Sequence, residues 1–183
     1  QGEGLLNSTL REARFASQHA GLASGATNIG GLHTHAEHTI NILNGTKVDY
    51  DQNGSGQNPG TGIGIYANLD AIDQALQAVN GLPTAPSRLQ NNAENIRVCL
   101  TNVRTWADQI SALENEFLIA QDLDAMRTKL DESTILTTHL NEGFDQNENG
   151  QVEPFEGECG LQQIESFGLL VGSIELHEGG LTK

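Results

Sequence analysis

SRLQNNAENIRVCLTNVRTWADQISALENEFLIA, residues 87–120, is the longest periodic stretch of the chain. Apolar side chains recur in it every seven residues, and a second apolar series follows three residues after the first. The two series are Leu89, Ile96, Val103, Ile110 and Phe117, and Cys99, Trp106, Leu113 and Ala120. A repeat of 3.5 residues is typical of helices that pack in left-handed bundles. The stretch therefore predicts a long helix inside a helical bundle.

Helical spacing of apolar residues continues on both sides of this stretch. It predicts further helices over residues 3–24, 32–43, 65–79 and 160–177. Residues 87–142 contain no Gly or Pro, but one helix over that range would be about 84 Å long. We therefore place a break near Gln121 and Asp122, with Asp122 capping the next helix. The predicted fold is an all-α, up-and-down helix bundle with long loops, forming a single domain over residues 1–183.

The overall charge limits the classes of partner that the protein is expected to bind. The 183 residues include 24 acidic and 9 basic ones, which gives a formal net charge of -15. Nucleic acids and anionic membranes are polyanions, so a chain this acidic is not expected to bind them. No apolar run reaches the roughly 20 residues that a membrane-spanning helix needs. The charge instead suits a surface that holds divalent cations.

Oxygen-bearing residues alternate along DQNENGQVEPFE, residues 145–156. The residues at loop positions 1, 3, 5, 7, 9 and 12 are Asp145, Asn147, Asn149, Gln151, Glu153 and Glu156, and Gly150 occupies position 6. This pattern resembles the twelve-residue calcium loop of the EF-hand family. The resemblance implies a Ca²⁺ site in which Gln151 offers its backbone carbonyl and Glu156 closes the shell with both carboxylate oxygens. Gly157 and Gly160 interrupt the outgoing helix of that family.

The glycine-rich stretch 46–64 repeats the first half of the same pattern. Positions 1, 3, 5 and 7 are Asp49, Asp51, Asn53 and Ser55, and Gly54 occupies position 6. Gly60 stands at position 12, so an acid from elsewhere must complete a calcium shell, and the candidates are Glu37, Asp70 and Asp73. A turn rich in Asp, Asn and Gly without an ion is the alternative. Because only the loop at Asp145 carries its own ligands, we predict two calcium affinities, with that site the tighter.

Three histidines and an acid lie close together in the second predicted helix. On a helical wheel His35 and His38 share one flank of the buried stripe, and His33 and Glu37 share the other. Imidazole and carboxylate suit zinc, copper or iron, so either pair is a candidate site for a transition metal or haem. The alternative is that these polar residues border the buried stripe and hydrogen-bond to neighbouring groups.

Residues 31–45 resemble the histidine-acid helix of the imelysin-like iron-uptake proteins. That family carries a Gly-x-His-x-x-Glu pattern, and Gly31 and His33 match its first two positions. Ala36 stands where the acid of the pattern belongs, and Glu37 comes one residue later. The resemblance implies a competing function in redox chemistry or metal uptake through histidine-bound metal or haem.

The cysteine content and the absence of catalytic motifs indicate the compartment and the kind of function to expect. Cys99 and Cys159 are the only two cysteines, and they predict one disulfide in an oxidising compartment. The chain opens on Gln1 without an initiator Met, which also favours a secreted, periplasmic or cell-surface setting. No hydrolase, phosphate-loop or metalloprotease motif occurs, so we do not expect an enzyme. We expect a calcium-stabilised extracytoplasmic protein with a structural role or an unidentified protein partner.

Overall fold

The computed structural model of the protein describes residues 4–80 and 85–178, with side chains described for all of these except residue 80 and residues 171–178. The helices in these ranges are α1 (Leu5–Ser24), α2 (Ile29–Asn44), α3 (Ile65–Asn80), α4 (Ser87–Ile119), α5 (Arg127–Glu142) and α6 (Leu161–Glu178), with a 3-10 turn at Asp124–Met126. The described residues contain no strand, so the all-α prediction is confirmed.

Helix α4 organises the bundle, as its heptad pattern predicts. It packs against α2, α3, α5 and α6, and the same four helices also pack against α1. Every consecutive pair of helices is in contact, as expected for an up-and-down order. All nine residues of the two apolar series are buried. The helical-bundle prediction is therefore confirmed by both the contacts and the buried face.

The described helices share one hydrophobic core. None of these helices is long and apolar enough to cross a membrane. The prediction of a single domain over residues 1–183 also covers residues 1–3, 81–84 and 179–183, which lie outside the described residues.

The break between α4 and α5 is confirmed where the sequence predicts it. Helix α4 ends at Ile119 and α5 begins at Arg127. Asp122 Oδ1 accepts hydrogen bonds from the backbone N–H groups of Asp124 at 2.9 Å and Ala125 at 3.3 Å. Asp122 thus caps the 3-10 turn that leads into α5.

A disulfide joins α4 to the segment that precedes α6. Cys99 and Cys159 are bonded across a sequence separation of 60 residues, and both are fully buried. Asn102, one turn along α4, donates from Nδ2 to Phe155 O at 2.8 Å and accepts at Oδ1 from Gly157 N at 2.8 Å. The predicted disulfide is confirmed, and it holds the segment between α5 and α6 against the centre of the bundle.

The segment between α2 and α3 is also fixed to the helices, although it contains no regular structure. Asn41 of α2 donates from Nδ2 to the carbonyls of Val48 at 2.8 Å and Gln57 at 3.0 Å. Gly45 ends α2 with φ of 69°, and a Cβ there would collide with Ile63 O, so the two ends of the segment touch. Both irregular segments that carry acidic loops are therefore packed on helices.

Candidate metal centres

The acidic residues of the first loop turn their oxygens towards the backbone of the loop. Asp49 accepts from Asn53 N at 3.1 Å and from Gly54 N at 2.9 Å, and Asp51 Oδ1 accepts from Asn53 N at 3.0 Å. Asn53 Oδ1 in turn accepts from Ser55 N at 2.9 Å. These hydrogen bonds place the side-chain oxygens of positions 1, 3 and 5 on the inner side of one tight turn.

Glu37 supplies the acid that the first loop lacks. It lies on α2 with 1% of its surface exposed, and its Oε2 accepts from Asp51 N at 3.1 Å while Oε1 accepts from Gln57 N at 3.0 Å. One carboxylate oxygen from each of Glu37, Asp49 and Asp51 lies within 4.8 Å of the others. The other two candidates point elsewhere, since Asp70 pairs with Arg104 and Asp73 accepts from Gln77.

Hydrogen bonds also set the electrostatics of the first loop. Burial raises the pKa of Asp51, but hydrogen bonds from the Asn53 backbone and from the side chains of Thr34 and Asn53 outweigh burial and hold that pKa below its ordinary value. The Thr34 hydroxyl, on the same helix as Glu37, donates to Asp51 Oδ2 at 3.0 Å. Thr34 and Glu37 thus both fix the first loop to α2.

The second loop repeats the hydrogen bonds of the first, position by position. Asp145 accepts from Asn149 N at 3.1 Å and from Gly150 N at 2.7 Å, and Asn147 Oδ1 accepts from Asn149 N at 3.0 Å. Asn149 Oδ1 accepts from Gln151 N at 2.9 Å. Because four independent hydrogen bonds agree between the loops, the weaker sequence pattern at 49–60 describes the same structure as the stronger one.

Backbone angles of the two loops agree as well. The residue at position 4 has a positive φ in both, 58° at Gln52 and 59° at Glu148. Position 6 is glycine with φ of 94° at Gly54 and 86° at Gly150. Gln52 and Glu148 are the only residues other than glycine with positive φ in the described chain. A left-handed turn at this position is unfavourable without a side chain or ion to fix it.

Glu158, which the sequence pattern does not nominate, is the carboxylate that faces the second loop. It is 2% exposed, its Oε2 accepts from Glu153 N at 3.1 Å, and its Oε1 accepts from Asn147 Nδ2 at 2.6 Å. In both loops the backbone N–H at position 9, Gln57 or Glu153, therefore donates to a buried glutamate. Glu158 lies two residues beyond the twelve-residue motif, so a search confined to the motif misses it.

Glu156, the predicted closing ligand, lies outside the second loop. It is exposed and lines a surface cavity together with Asn102 and Trp106 of α4. Glu153 is half-buried, and its Oε2 accepts from Asn149 Nδ2 at 2.6 Å. Hydrogen bonds thus connect Asn147 to Glu158 and Asn149 to Glu153, whereas the three carboxylates of Asp145, Glu153 and Glu158 are not among the described groups that lie within 4.8 Å of one another.

Of the two pairs predicted as a site for a transition metal or haem, His35 and His38 come together, whereas His33 and Glu37 do not. His33 Nε2 is hydrogen-bonded to Ala120 O at 2.9 Å, and Glu37 faces the first loop. His35 and His38 turn instead towards α1, where they meet His19. The helical wheel correctly separates the two flanks of α2, but it does not show which residue of another helix lies opposite each flank.

His19, His35 and His38 form a compact cluster between α1 and α2. His19 Nδ1 lies 3.2 Å from His35 Nδ1 and 3.2 Å from His38 Nδ1. His19 and His38 are buried and His35 is half-buried. Burial and the neighbouring His38 and His35 lower the pKa of His19 to about 4. Sequence reasoning missed His19, and its place among the buried positions of α1 is the only signal that marks it.

Two groups of three His, Cys, Asp or Glu side chains in the described residues are compact enough to share one cation. They are His19, His35 and His38, and Glu37, Asp49 and Asp51. Comparison of the chain with protein-family models, with curated proteins and with solved structures finds no match to any of them. The functional argument therefore rests on the chemistry of these groups and of the second loop.

Proposed function

We propose that the protein is a calcium-binding, calcium-stabilised helical bundle of an extracytoplasmic compartment, with a structural or binding role. The observation that supports this function best is the duplication of one loop geometry. Two loops with unrelated flanking sequences share their internal hydrogen bonds, their φ angles and a buried glutamate that accepts from the backbone N–H at position 9. Turns that serve only as connections have no reason to share a buried carboxylate.

The ligand chemistry favours a hard cation over a softer one. Each loop presents carboxylate and amide oxygens, and neither contains histidine or cysteine. Ca²⁺ takes six to eight oxygen ligands of this kind. Burying a carboxylate is costly unless it is paired, and no Lys or Arg pairs with Glu37 or Glu158 among the described ion pairs. A calcium ion in each loop compensates that charge.

The position of the loops indicates what the ions do for the fold. The first loop lies in the segment that joins α2 to α3, and Glu12 of α1 accepts from Thr61 N at 2.9 Å near its end. The second lies in the segment that the disulfide ties to α4. Ions bound there hold both segments on the bundle. Binding to the native state alone stabilises it by about 2.7 kcal/mol at a hundredfold excess over Kd.

The disulfide supports an extracytoplasmic compartment, and the same compartment suits calcium binding. Structural disulfides persist in oxidising surroundings such as the periplasm and the extracellular space. A fully buried disulfide and calcium-dependent loops are consistent with one such environment. A calcium sensor is disfavoured because sensors expose a methionine-rich groove on binding, and this chain has one methionine.

Titration calorimetry of chelator-treated protein with CaCl₂ tests the proposal. We expect two saturable sites in the wild-type protein and the loss of one site in each of Asp49→Ala and Asp145→Ala. Asp131→Ala, which removes an exposed acid of α5 and changes the net charge equally, is the matched control and should keep both sites. Wild-type protein without saturable calcium binding, or loop variants that bind like Asp131→Ala, would overturn it.

A further inference from the structure

The histidine cluster presents three ring nitrogens of the same type to one point. His19 comes from α1, and His35 and His38 come from successive turns of α2. The Nδ1 atom of each is involved, with 3.2 Å from His19 to either partner. Two ligands at about 2.05 Å from a tetrahedral zinc ion are about 3.3 Å apart. The measured separation is therefore that of neighbouring ligands on one metal ion.

Hydrogen bonding within the cluster cannot satisfy all three rings. A neutral imidazole has one N–H and one lone pair. His19 Nδ1 is either a donor with one hydrogen or an acceptor with one lone pair, so it can make one good hydrogen bond to its two neighbours. The second contact at 3.2 Å must then share that hydrogen or lone pair, or else set two lone pairs or two hydrogens against each other. A cation at the centre removes this conflict, because all three lone pairs then point at it.

The cluster has no alternative role in the hydrogen bonding of the described residues. The only hydrogen bonds of the His19 and His38 rings are those to each other and to His35. His33, in contrast, is hydrogen-bonded to the backbone of Ala120, as a structural histidine usually is. Among the described residues, the buried rings of His19 and His38 thus form hydrogen bonds only within the cluster.

The electrostatics keep the lone pairs free and favour a cation. Burial lowers the pKa of all three rings, and the neighbouring histidines lower those of His19 and His35 further. Neutral imidazole is the form that binds metal. The carboxylates of Glu37 and Asp51 lie near enough to His38 to act on its pKa in the raising direction. The same negative potential stabilises a divalent ion.

We propose that His19, His35 and His38 bind one divalent transition-metal ion of the Zn²⁺ or Cu²⁺ class through their Nδ1 atoms. Imidazole suits these ions, whereas Ca²⁺ prefers oxygen. Three protein ligands leave a coordination position for water or an exogenous ligand, and the half-buried His35 lies on the side open to solvent. Ring nitrogens this close enclose a bare ion and leave no space for a haem. The site is separate from both calcium loops.

Zinc titration of metal-free protein in calcium-saturated buffer tests this site apart from the calcium proposal. We expect one Zn²⁺ per chain and a loss of affinity of at least about 100-fold in His19→Gln. His33→Gln removes a histidine of α2, the helix that carries His35 and His38, but His33 lies outside the cluster. This variant should therefore bind Zn²⁺ like the wild type. The circular dichroism spectrum of each variant shows whether the helical fold is intact. Equal zinc affinity in the two variants would overturn the proposal.

A measurement on the wild-type protein keeps the test independent of how the variants fold. Long-range proton–nitrogen spectra distinguish Nδ1 from Nε2 of each ring. On addition of ZnCl₂ we expect the Nδ1 signals of three histidines to shift together while the other rings stay unchanged. Coordination through Nε2, a set without His19, or no saturable change would contradict the assignment, whether or not the loops bind calcium.

Discussion

Glu158→Gln separates the calcium site that we propose around Glu158 from the one that the sequence motif predicts with Glu156. In the protein, both oxygens of this buried carboxylate accept hydrogen bonds, from Glu153 N and from Asn147 Nδ2. Glutamine keeps the shape but turns one oxygen into an NH₂ group. One of the two donors then faces another donor, and the loop loses a negatively charged ligand for calcium.

Two losses of different origin are expected, and calcium distinguishes them. An unsatisfied buried donor costs about 1–3 kcal/mol, with or without the ion. Loss of calcium binding at this loop removes a further ~2.7 kcal/mol when the free ion is at a hundredfold excess over Kd. For a chain of this length, 1 kcal/mol changes Tm by about 2–4 °C. The melting point should therefore fall in both conditions, and by about 5–11 °C more in calcium than in chelator.

The assay is thermal unfolding followed by circular dichroism in excess CaCl₂ and in excess EGTA. Glu156→Gln is the matched control, since it makes the same chemical change two residues away at an exposed side chain. We expect that variant to stay within about 0.5 kcal/mol of the wild type in both conditions. If Glu156→Gln loses the calcium-dependent stabilisation and Glu158→Gln keeps it, the motif identifies the ligand correctly and the structural argument fails.

Two other features give predictions that do not depend on metal. Burial raises the pKa of Glu114 to about 8 from 4.5, so the folded protein binds the extra proton and the free energy of unfolding falls as the pH rises through that window. Glu114→Gln should remove this slope, which is worth about 3 kcal/mol of unfolding free energy between pH 4.5 and 7. If the unfolding free energies of variant and wild type, measured by urea denaturation, change with pH in parallel, burial of Glu114 is not the cause of the slope. Reduction of the disulfide should cost about 4 kcal/mol of unfolding free energy, and an unfolding midpoint unchanged by dithiothreitol would refute that.

The parts of the fold that depend on local pattern could be predicted from the sequence. The heptads of α4 identify its buried face because a repeat of 3.5 residues holds one side of a helix against its neighbours. The break at Asp122 follows from the length limit of a helix in a compact chain. In each case the responsible residues lie within a few positions of each other.

Contacts between distant segments could not be predicted in the same way. Nothing in the sequence around His19 shows that it lies opposite His35 and His38, because that depends on how α1 and α2 pack. Glu37 was one of three candidate acids for the first loop, and only the path of the loop over α2 selects it. Glu158 lies outside the motif because the chain turns back after Glu156, so that a later residue faces the second loop.

We expect the opposite order of calcium affinities from the one that the sequence predicts. In the first loop, carboxylate oxygens of Glu37, Asp49 and Asp51 converge within 4.8 Å, and their mutual repulsion is relieved when a cation binds. The second loop has an asparagine, Asn147, at the position of Asp51, and its carboxylates are not among the described groups that converge in this way. Calcium affinity rises with ligand charge and with rigidity of the site, and Glu37 is held on a helix. We therefore expect Glu37→Gln to abolish the tighter phase of the calcium titration and Glu158→Gln the weaker one, and the opposite assignment would show that a self-contained loop outweighs charge.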